Sequence, residues 1–266
     1  MSGGTTEERN PRARGLAGLP TEELLRLMND EDALVAGAVR AALPRIADAV
    51  DMIVERLAAG GRLRYIGAGT SGRLGVLDAS EAPPTFGVDA ELVRGVIAGG
   101  DAALRHASEG AEDDAAAGER DIGTVTREGD AVVGISASGR AAYVIAALRE
   151  ARRLGASAIA LTCDPASALA QAAEIVLAVP VGPEVIAGSS RLKAGTATKL
   201  VLNMLSTAAM VRLGRTRGDL MVDLHAGSAK LRERAIAIVR AETGLDEASA
   251  RARLEAAGWS VREAID

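Results

Sequence analysis

Residues 65–87 read YIGAGTSGRLGVLDASEAPPTFG, and the order of residue types in this stretch decides the fold class. An apolar strand turns through Gly67-Ala68-Gly69-Thr70-Ser71-Gly72 and enters a helix. The turn fits G-x-G-x-x-G, which is weak evidence by itself. A dinucleotide site also wants an acid at the end of the second strand to hold a ribose. That strand here ends in Ile97-Ala98-Gly99-Gly100, which argues against NAD. Gly69, Thr70 and Ser71 suit a single phosphate instead, held by hydroxyls and by helix N-terminal N–H groups. A few residues on, Glu81 stands just ahead of Pro83-Pro84, whose rings fix the backbone. A phosphate-holding loop close to an acid points to an enzyme acting on a small phosphorylated substrate.

Working outward, short apolar runs at 63–67, 92–97, 131–136, 157–162 and 175–179 read as strands. Helical stretches at 71–79, 101–118, 140–154 and 166–173 lie between them. Nearly continuous apolar strands alternating with helices predict an α/β fold, a three-layer sandwich with a central parallel five-stranded sheet. Upstream, residues 1–18 lack periodicity and read as a flexible tail. Thr21 is a candidate cap with acids in the first turn. Asp30 to Asp32 are expected to end that helix or to start the next, and 34–59 to form a second, long one. A helix at 190–213 and a C-terminal helical segment at 226–266 complete the pattern, with 19–225 as the main domain.

Ligands of such sheets bind beyond the carboxyl ends of the strands. Ser136-Ala137-Ser138-Gly139-Arg140 repeats the hydroxyl-rich turn at that same edge. One such turn is unremarkable, since serine caps helices routinely; two at one sheet edge suggest a shared ligand. Gly188-Ser189-Ser190-Arg191-Leu192-Lys193 offers a third lobe, or alternatively a capped helix with solvated basic residues. Two acids carry the candidate chemistry. Glu81 precedes the prolines, and Glu112 lies in a charged run where an acid is ordinarily just solvated. A pair of carboxylates divides acid and base work when their environments separate their pKa values.

Composition excludes several classes. The 266 residues carry a net charge of −5 with 2% aromatics, which leaves neither a basic stripe nor stacking platforms for nucleic acid. A single cysteine, Cys163, excludes an internal disulfide and a multi-Cys zinc site. His106 and His225 are the only histidines; without H-E-x-x-H spacing, no metal is expected. No apolar run reaches the length of a spanning helix and no signal peptide is visible, so a soluble cytoplasmic protein with no membrane partner is expected. Ser71, Ser136 and Ser138 lack a G-x-S-x-G elbow, which disfavours a serine hydrolase.

The 65–87 stretch, the GISASGR turn, VIAGSSRLKAGTATKLVLNMLSTAAM and GDLMVDL together closely resemble the N-acetylmuramic acid 6-phosphate etherases, a family with a sugar isomerase (SIS) domain. The resemblance runs from about Thr21 onward. It implies a homodimeric cytoplasmic lyase of cell-wall recycling that yields N-acetylglucosamine 6-phosphate and D-lactate without metal or organic cofactor. It implies Glu81 as the acid and Glu112 as the second catalytic carboxylate, in the role of base. Thr70, Ser71, Ser136, Ser138, Ser189 and Ser190 would cradle phosphate and sugar, with Lys193 as a charged partner. Ala82 stands where the family usually has cysteine, and Ala141-Ala142 where Thr-Pro is common; neither removes a catalytic group. A regulatory sugar-phosphate binder and a sugar-phosphate isomerase are the competing readings. Retention of both carboxylates favours the lyase.

Overall fold

A computed structural model describes residues 5–224 and 226–266; His225 and the histidine reading attached to it lie outside the described residues. Five parallel strands form one sheet: β1 (Leu63–Gly67), β2 (Val93–Ile97), β3 (Ala131–Ile135), β4 (Ser157–Thr162) and β5 (Ile175–Ala178). Their spatial order is β2-β1-β3-β4-β5. Gly67 aligns with Ile97 on one side and with Ile135 on the other. The chain order therefore reverses at β1, and the turns after β1 and β3 flank one crevice.

Because strand side chains alternate between faces, the two faces build two cores. Leu63, Tyr65, Val133, Ile159 and Leu161 pack beneath α1 (Thr21–Ala58), α2 (Gly69–Phe86) and α6 (Lys193–Arg212). Ile66, Val132, Ala158 and Ala160 pack against α3 (Ala115–Val125), α4 (Ala142–Arg153) and α5 (Ala168–Gln171). Ile46 and Ile53 of α1 join Val201 and Leu205 of α6 in the first core, each at most 3% exposed. Each such aliphatic side chain contributes roughly 1.5–3 kcal/mol of burial. A third cluster, with Val222, Ile236, Val239, Leu254 and Val261, is shared by α7 (Ala229–Thr243), α8 (Glu247–Ala256), α9 (Val261–Ile265) and the loop before them. Arg262 ties it to that loop through Asp223 at 2.7 Å. Among the described residues no helix is long and apolar enough to cross a membrane.

Four sequence expectations change. Residues 21–58 form one helix, not two. Glu31, 3% exposed, faces inward to Lys193 and Arg12, so the acidic run is an anchor rather than a terminus. Thr21 makes no capping bond; Pro20 holds the cap position. Helix α2 runs on through Pro83 and Pro84 to Gly87, whose φ of 61° ends it. Both rings fall in the last turn, where few carbonyls lose a partner, and the buried Ala82 and Phe86 hold that turn down. The expected helix at 101–118 is instead two short 3-10 turns, Asp101–Leu104 and Ala111–Asp113, before α3. Gly110, at positive φ, interrupts it, and Gly99 and Gly100, also at positive φ, set off its start.

The expected flexible tail differs as well. Residues 5–18 form three 3-10 turns, with Thr6 and Asn10 buried. Asn10 donates to the Pro183 carbonyl at 3.2 Å, and Gly188 N–H to the Thr6 carbonyl at 3.0 Å. Arg12 pairs with Glu31 at 3.0 Å. Polar tethers leave no hydrophobic periodicity, so a pattern search misses them.

Candidate functional site

At the β1/β3 crevice a cavity of about 160 Å³ is lined by Thr70, Ser71, Ser136, Ser138, Ser190 and Glu112. The first hydroxyls come from the start of α2. Gly69 adopts φ 53°, a conformation that L side chains rarely take. Gly67 and Gly72 lie so close that a Cβ on Gly67 would sit 2.6 Å from Gly72 N. Ala68 provides no side-chain cap, which leaves first-turn N–H groups of α2 free to meet an anion. Helix α4 is likewise uncapped by its preceding side chain, Ala141.

The β3 turn is held from below. The Ala137 carbonyl accepts from Cys163 N–H at 2.9 Å and from Thr162 Oγ1 at 3.2 Å, while Gly139 N–H donates to the Ser136 carbonyl at 3.0 Å. Gly139, at φ 64°, packs against Ser167. Cys163 beneath this turn has its thiol pushed up to about 12 by burial, so at neutral pH it is an inert packing residue.

The third lobe is arranged differently from expectation. Ser190 lines the cavity, and Ser189 sits beside it with its N–H on the Ile186 carbonyl at 2.9 Å. Lys193 is a correction. Its side chain is 2% exposed and its Nζ lies 2.6 Å from Glu31 Oε2, so the ammonium is engaged in the interior rather than presented to the cradle. Burial pushes the Glu31 carboxyl up, but the hydrogen bond and charge of Lys193 outweigh it and hold the pKa below the usual range. The N-terminus of α6 is closed to an anion too. Fully buried Glu184 accepts from the N–H groups of Lys193 and Ala194, both at 3.0 Å.

Glu112 and Glu81 are not brought together. Glu112 is exposed and shares the hydroxyl cavity. Glu81, also exposed, lines a separate cavity of about 300 Å³ between α2 and α6, with Asp78, Lys199, Asn203, Ser206 and Thr207. Sequence reasoning missed this polar cluster. Ser206 donates to Asp78 Oδ1 at 3.1 Å. Asn203, in the amide orientation its neighbours demand, donates to the same oxygen at 3.2 Å and accepts from Lys199 Nζ at 2.8 Å. Among the described residues, Asp78 Oδ2 and the fully buried Tyr65 hydroxyl find no hydrogen-bond partner of good geometry. Burial raises the Asp78 pKa, against hydrogen bonding and the Lys199 charge that lower it. Burial, and next the charge of Asp78, push the Tyr65 phenol well above its ordinary range. The available signal was spacing: Asp78 and Glu81 are one helical turn apart, and Lys199, Asn203 and Ser206 recur at helical intervals.

Comparison with known proteins places this arrangement. Residues 45–152 match the model of the glucokinase regulatory protein N-terminal SIS domain, and residues 111–208 match that of the SIS domain. The N-acetylmuramic acid 6-phosphate etherase of Symbiobacterium thermophilum is 56% identical over 98% of this chain and 87% of its own length. That of Gloeobacter violaceus is 54% identical over 98% and 85%. Among solved structures, a putative phosphosugar isomerase from Bacteroides fragilis superposes with a TM-score of 0.57 at 21% identity, covering 78% of this chain and 99% of that one. A phosphoheptose isomerase from Francisella tularensis gives 0.55 at 19%, covering 73% and 100%. At those identities the structures speak for the fold alone, which is the SIS fold. The sequence relatives decide the family: the chain belongs to the N-acetylmuramic acid 6-phosphate etherases.

Proposed function

We propose that this chain cleaves the D-lactyl ether of N-acetylmuramic acid 6-phosphate in the cytoplasm, releasing N-acetylglucosamine 6-phosphate and D-lactate during cell-wall recycling. The observation that carries the reading is Glu112 on the wall of a cavity otherwise rich in hydroxyls, in a chain 56% identical to an etherase. The hydroxyls and the open N-terminus of α2 hold the phosphate, and the fixed phosphate sets the reacting carbons in place. In the ring-opened sugar the aldehyde acidifies the C2 proton. Glu112 removes that proton, and its electron pair forms the C2–C3 double bond as the C3–O bond breaks. Glu81 protonates the departing ether oxygen, and D-lactate leaves. Water then adds its hydroxyl to C3 and a proton returns to C2. Every step moves protons and none changes the overall oxidation state, so the reaction calls for no cofactor.

The working unit in this reading is a homodimer. Glu81 opens onto a different cavity from Glu112 within one chain, and exposed Leu77 lies one turn before it on α2. A second copy against this face would supply Glu81 to its neighbour's cradle.

The test is D-lactate release from N-acetylmuramic acid 6-phosphate in water enriched in heavy oxygen. Lactate with label at C3 of the amino sugar is expected. An isomerised sugar without lactate would replace the reading with an isomerase, and tight binding without turnover would replace it with a regulator.

A further inference from the structure

Beside the hydroxyl cradle lies a second cavity of about 350 Å³ that the reaction above leaves unused. The two share Ala68, Gly69 and Glu112 as a common wall. Its lining combines Ala98, Ala103, Ala107 and Ala111 with two carboxylates, Glu109 and Glu112, and with Arg73 and Ser108 as donors. Arg73 also fixes the outer wall: its Nε donates to the Leu104 carbonyl at 3.2 Å and its Nη2 to the His106 carbonyl at 3.3 Å. Ser108 is set against Gly99, where a Cβ would lie 2.7 Å from its Oγ.

We propose that this alanine-walled cavity is the subsite for the N-acyl group on C2 of the sugar. The inference rests on the reading of Glu112 as the residue that faces C2. C2 then lies beside the wall of Ala68, Gly69 and Glu112 that the two cavities share, and its acyl substituent, on a different bond from the proton that meets Glu112, has this cavity within reach. Its chemistry suits a neutral acyl amide. The methyl end meets alanine side chains, and the acyl carbonyl finds donors in Arg73 and Ser108. The lining carries one guanidinium and two carboxylates, Glu109 and Glu112, a balance that turns away an anionic substituent. The lactyl carboxylate on C3 is thereby directed elsewhere. The volume exceeds that of an acetyl group several times over, so the subsite accommodates longer acyl chains.

The test is calorimetric binding of N-acetyl-, N-propionyl- and N-butanoyl-glucosamine 6-phosphate, which lack the lactyl ether and are not turned over. Glucose 6-phosphate serves as the acyl-free reference. The wild-type chain is expected to bind all three acyl sugars within about threefold of one another. Ala107→Leu, at an exposed position on the wall, is expected to weaken the N-butanoyl sugar roughly tenfold relative to the N-acetyl sugar. Its affinity for glucose 6-phosphate is expected to stay unchanged. Ser108→Leu, also at an exposed position, narrows the wall and removes a donor to the acyl carbonyl, so it is expected to shift the acyl ratio likewise and also to weaken all three acyl sugars against glucose 6-phosphate. Rejection of the N-butanoyl sugar by the wild type would overturn the subsite. So would an unchanged acyl ratio in both variants, or a parallel loss of glucose 6-phosphate. Lactate release is measured on the same wild-type preparation. Its absence alongside the expected acyl ratios would remove the ether-cleaving reading and leave the subsite standing.

Discussion

The residues whose removal speaks most directly are the two carboxylates and the cradle hydroxyls. Glu81→Gln keeps the shape and removes the proton, so lactate release is expected to fall roughly 10²- to 10⁴-fold, the usual contribution of a general acid. Calorimetry should show sugar-phosphate binding retained. Turnover near wild type would take Glu81 out of the mechanism. Ser71→Ala removes a neutral donor to a charged phosphate, and KM is expected to rise about tenfold or more, with kcat less affected. A KM unchanged in steady-state assays would move the phosphate elsewhere. At this scale much was legible. Thr70, Ser71, Ser136, Ser138 and Glu112 converge on one cavity, because hydroxyls in turns at one sheet edge are brought together by topology. Lys193 was misread for the opposite reason. Its partner Glu31 is 162 residues away in sequence, and no local pattern announces such a pair. Glu184, which closes the start of α6, was missed on the same grounds.

At the scale of elements, α1 and α6 are joined by the Glu31–Lys193 pair inside an apolar contact. Lys193→Met leaves Glu31 buried with the half-exposed Arg12 and the neutral amide of Asn10 as its polar neighbours, and a loss of about 3 kcal/mol in chemical denaturation is expected. Replacing both partners, as Glu31→Leu with Lys193→Met, should recover most of it. Helix α2 carries an opposite liability in Asp78. Burial raises its pKa above the unfolded value, so the folded chain holds the proton more tightly than the unfolded chain. Stability from this group is therefore present at low pH and declines as pH climbs from the usual aspartate value through the raised one. Asp78→Asn removes the decline while still accepting from Ser206. The variant is expected to melt higher than wild type at neutral pH, with the gap closing toward pH 4. A constant gap across that range would show that the proton is not involved. The strands were read within a residue or two because β1, β3 and β4 are fully buried and all five are largely apolar. Even Arg64 in β1 did not hide its strand: its guanidinium is taken up by the carbonyls of Val125 and Glu91. The 101–113 segment was misread because alanine-rich composition favours a helix, while Gly110 at positive φ breaks it in the middle.

For the molecule as a whole, the separation of Glu81 from Glu112 makes a prediction about assembly. If each site draws one carboxylate from each copy, Glu81→Gln and Glu112→Gln chains are separately inactive, yet a mixed dimer regains one intact site. Mixing equal amounts with subunit exchange is expected to restore about a quarter of wild-type lactate release, as statistical pairing in a two-fold dimer requires. Recovery at background level would place both groups in the same copy. This was beyond the reach of sequence periodicity, which reports the faces of elements and not the surface where two molecules meet. The order β2-β1-β3-β4-β5 was likewise not written in any local pattern, although the position of the glycine turns already implied a crevice beside β1.

The fastening of residues 5–18 carries a mechanical consequence. Thr6 and Asn10 hold the backbone at Gly188 and Pro183, the two ends of a short arm that leads to Ser190 at the hydroxyl cavity. The beginning of the chain thus acts as a guy-rope for a loop nearly two hundred positions downstream. A protease nick before Ala13, or a bulky fusion that pulls this segment away, would slacken the arm. Ser190 would draw back from the hydroxyl cavity while Thr70, Ser71, Ser136 and Ser138 stayed in place, and sugar-phosphate binding is expected to weaken without any of those side chains being altered.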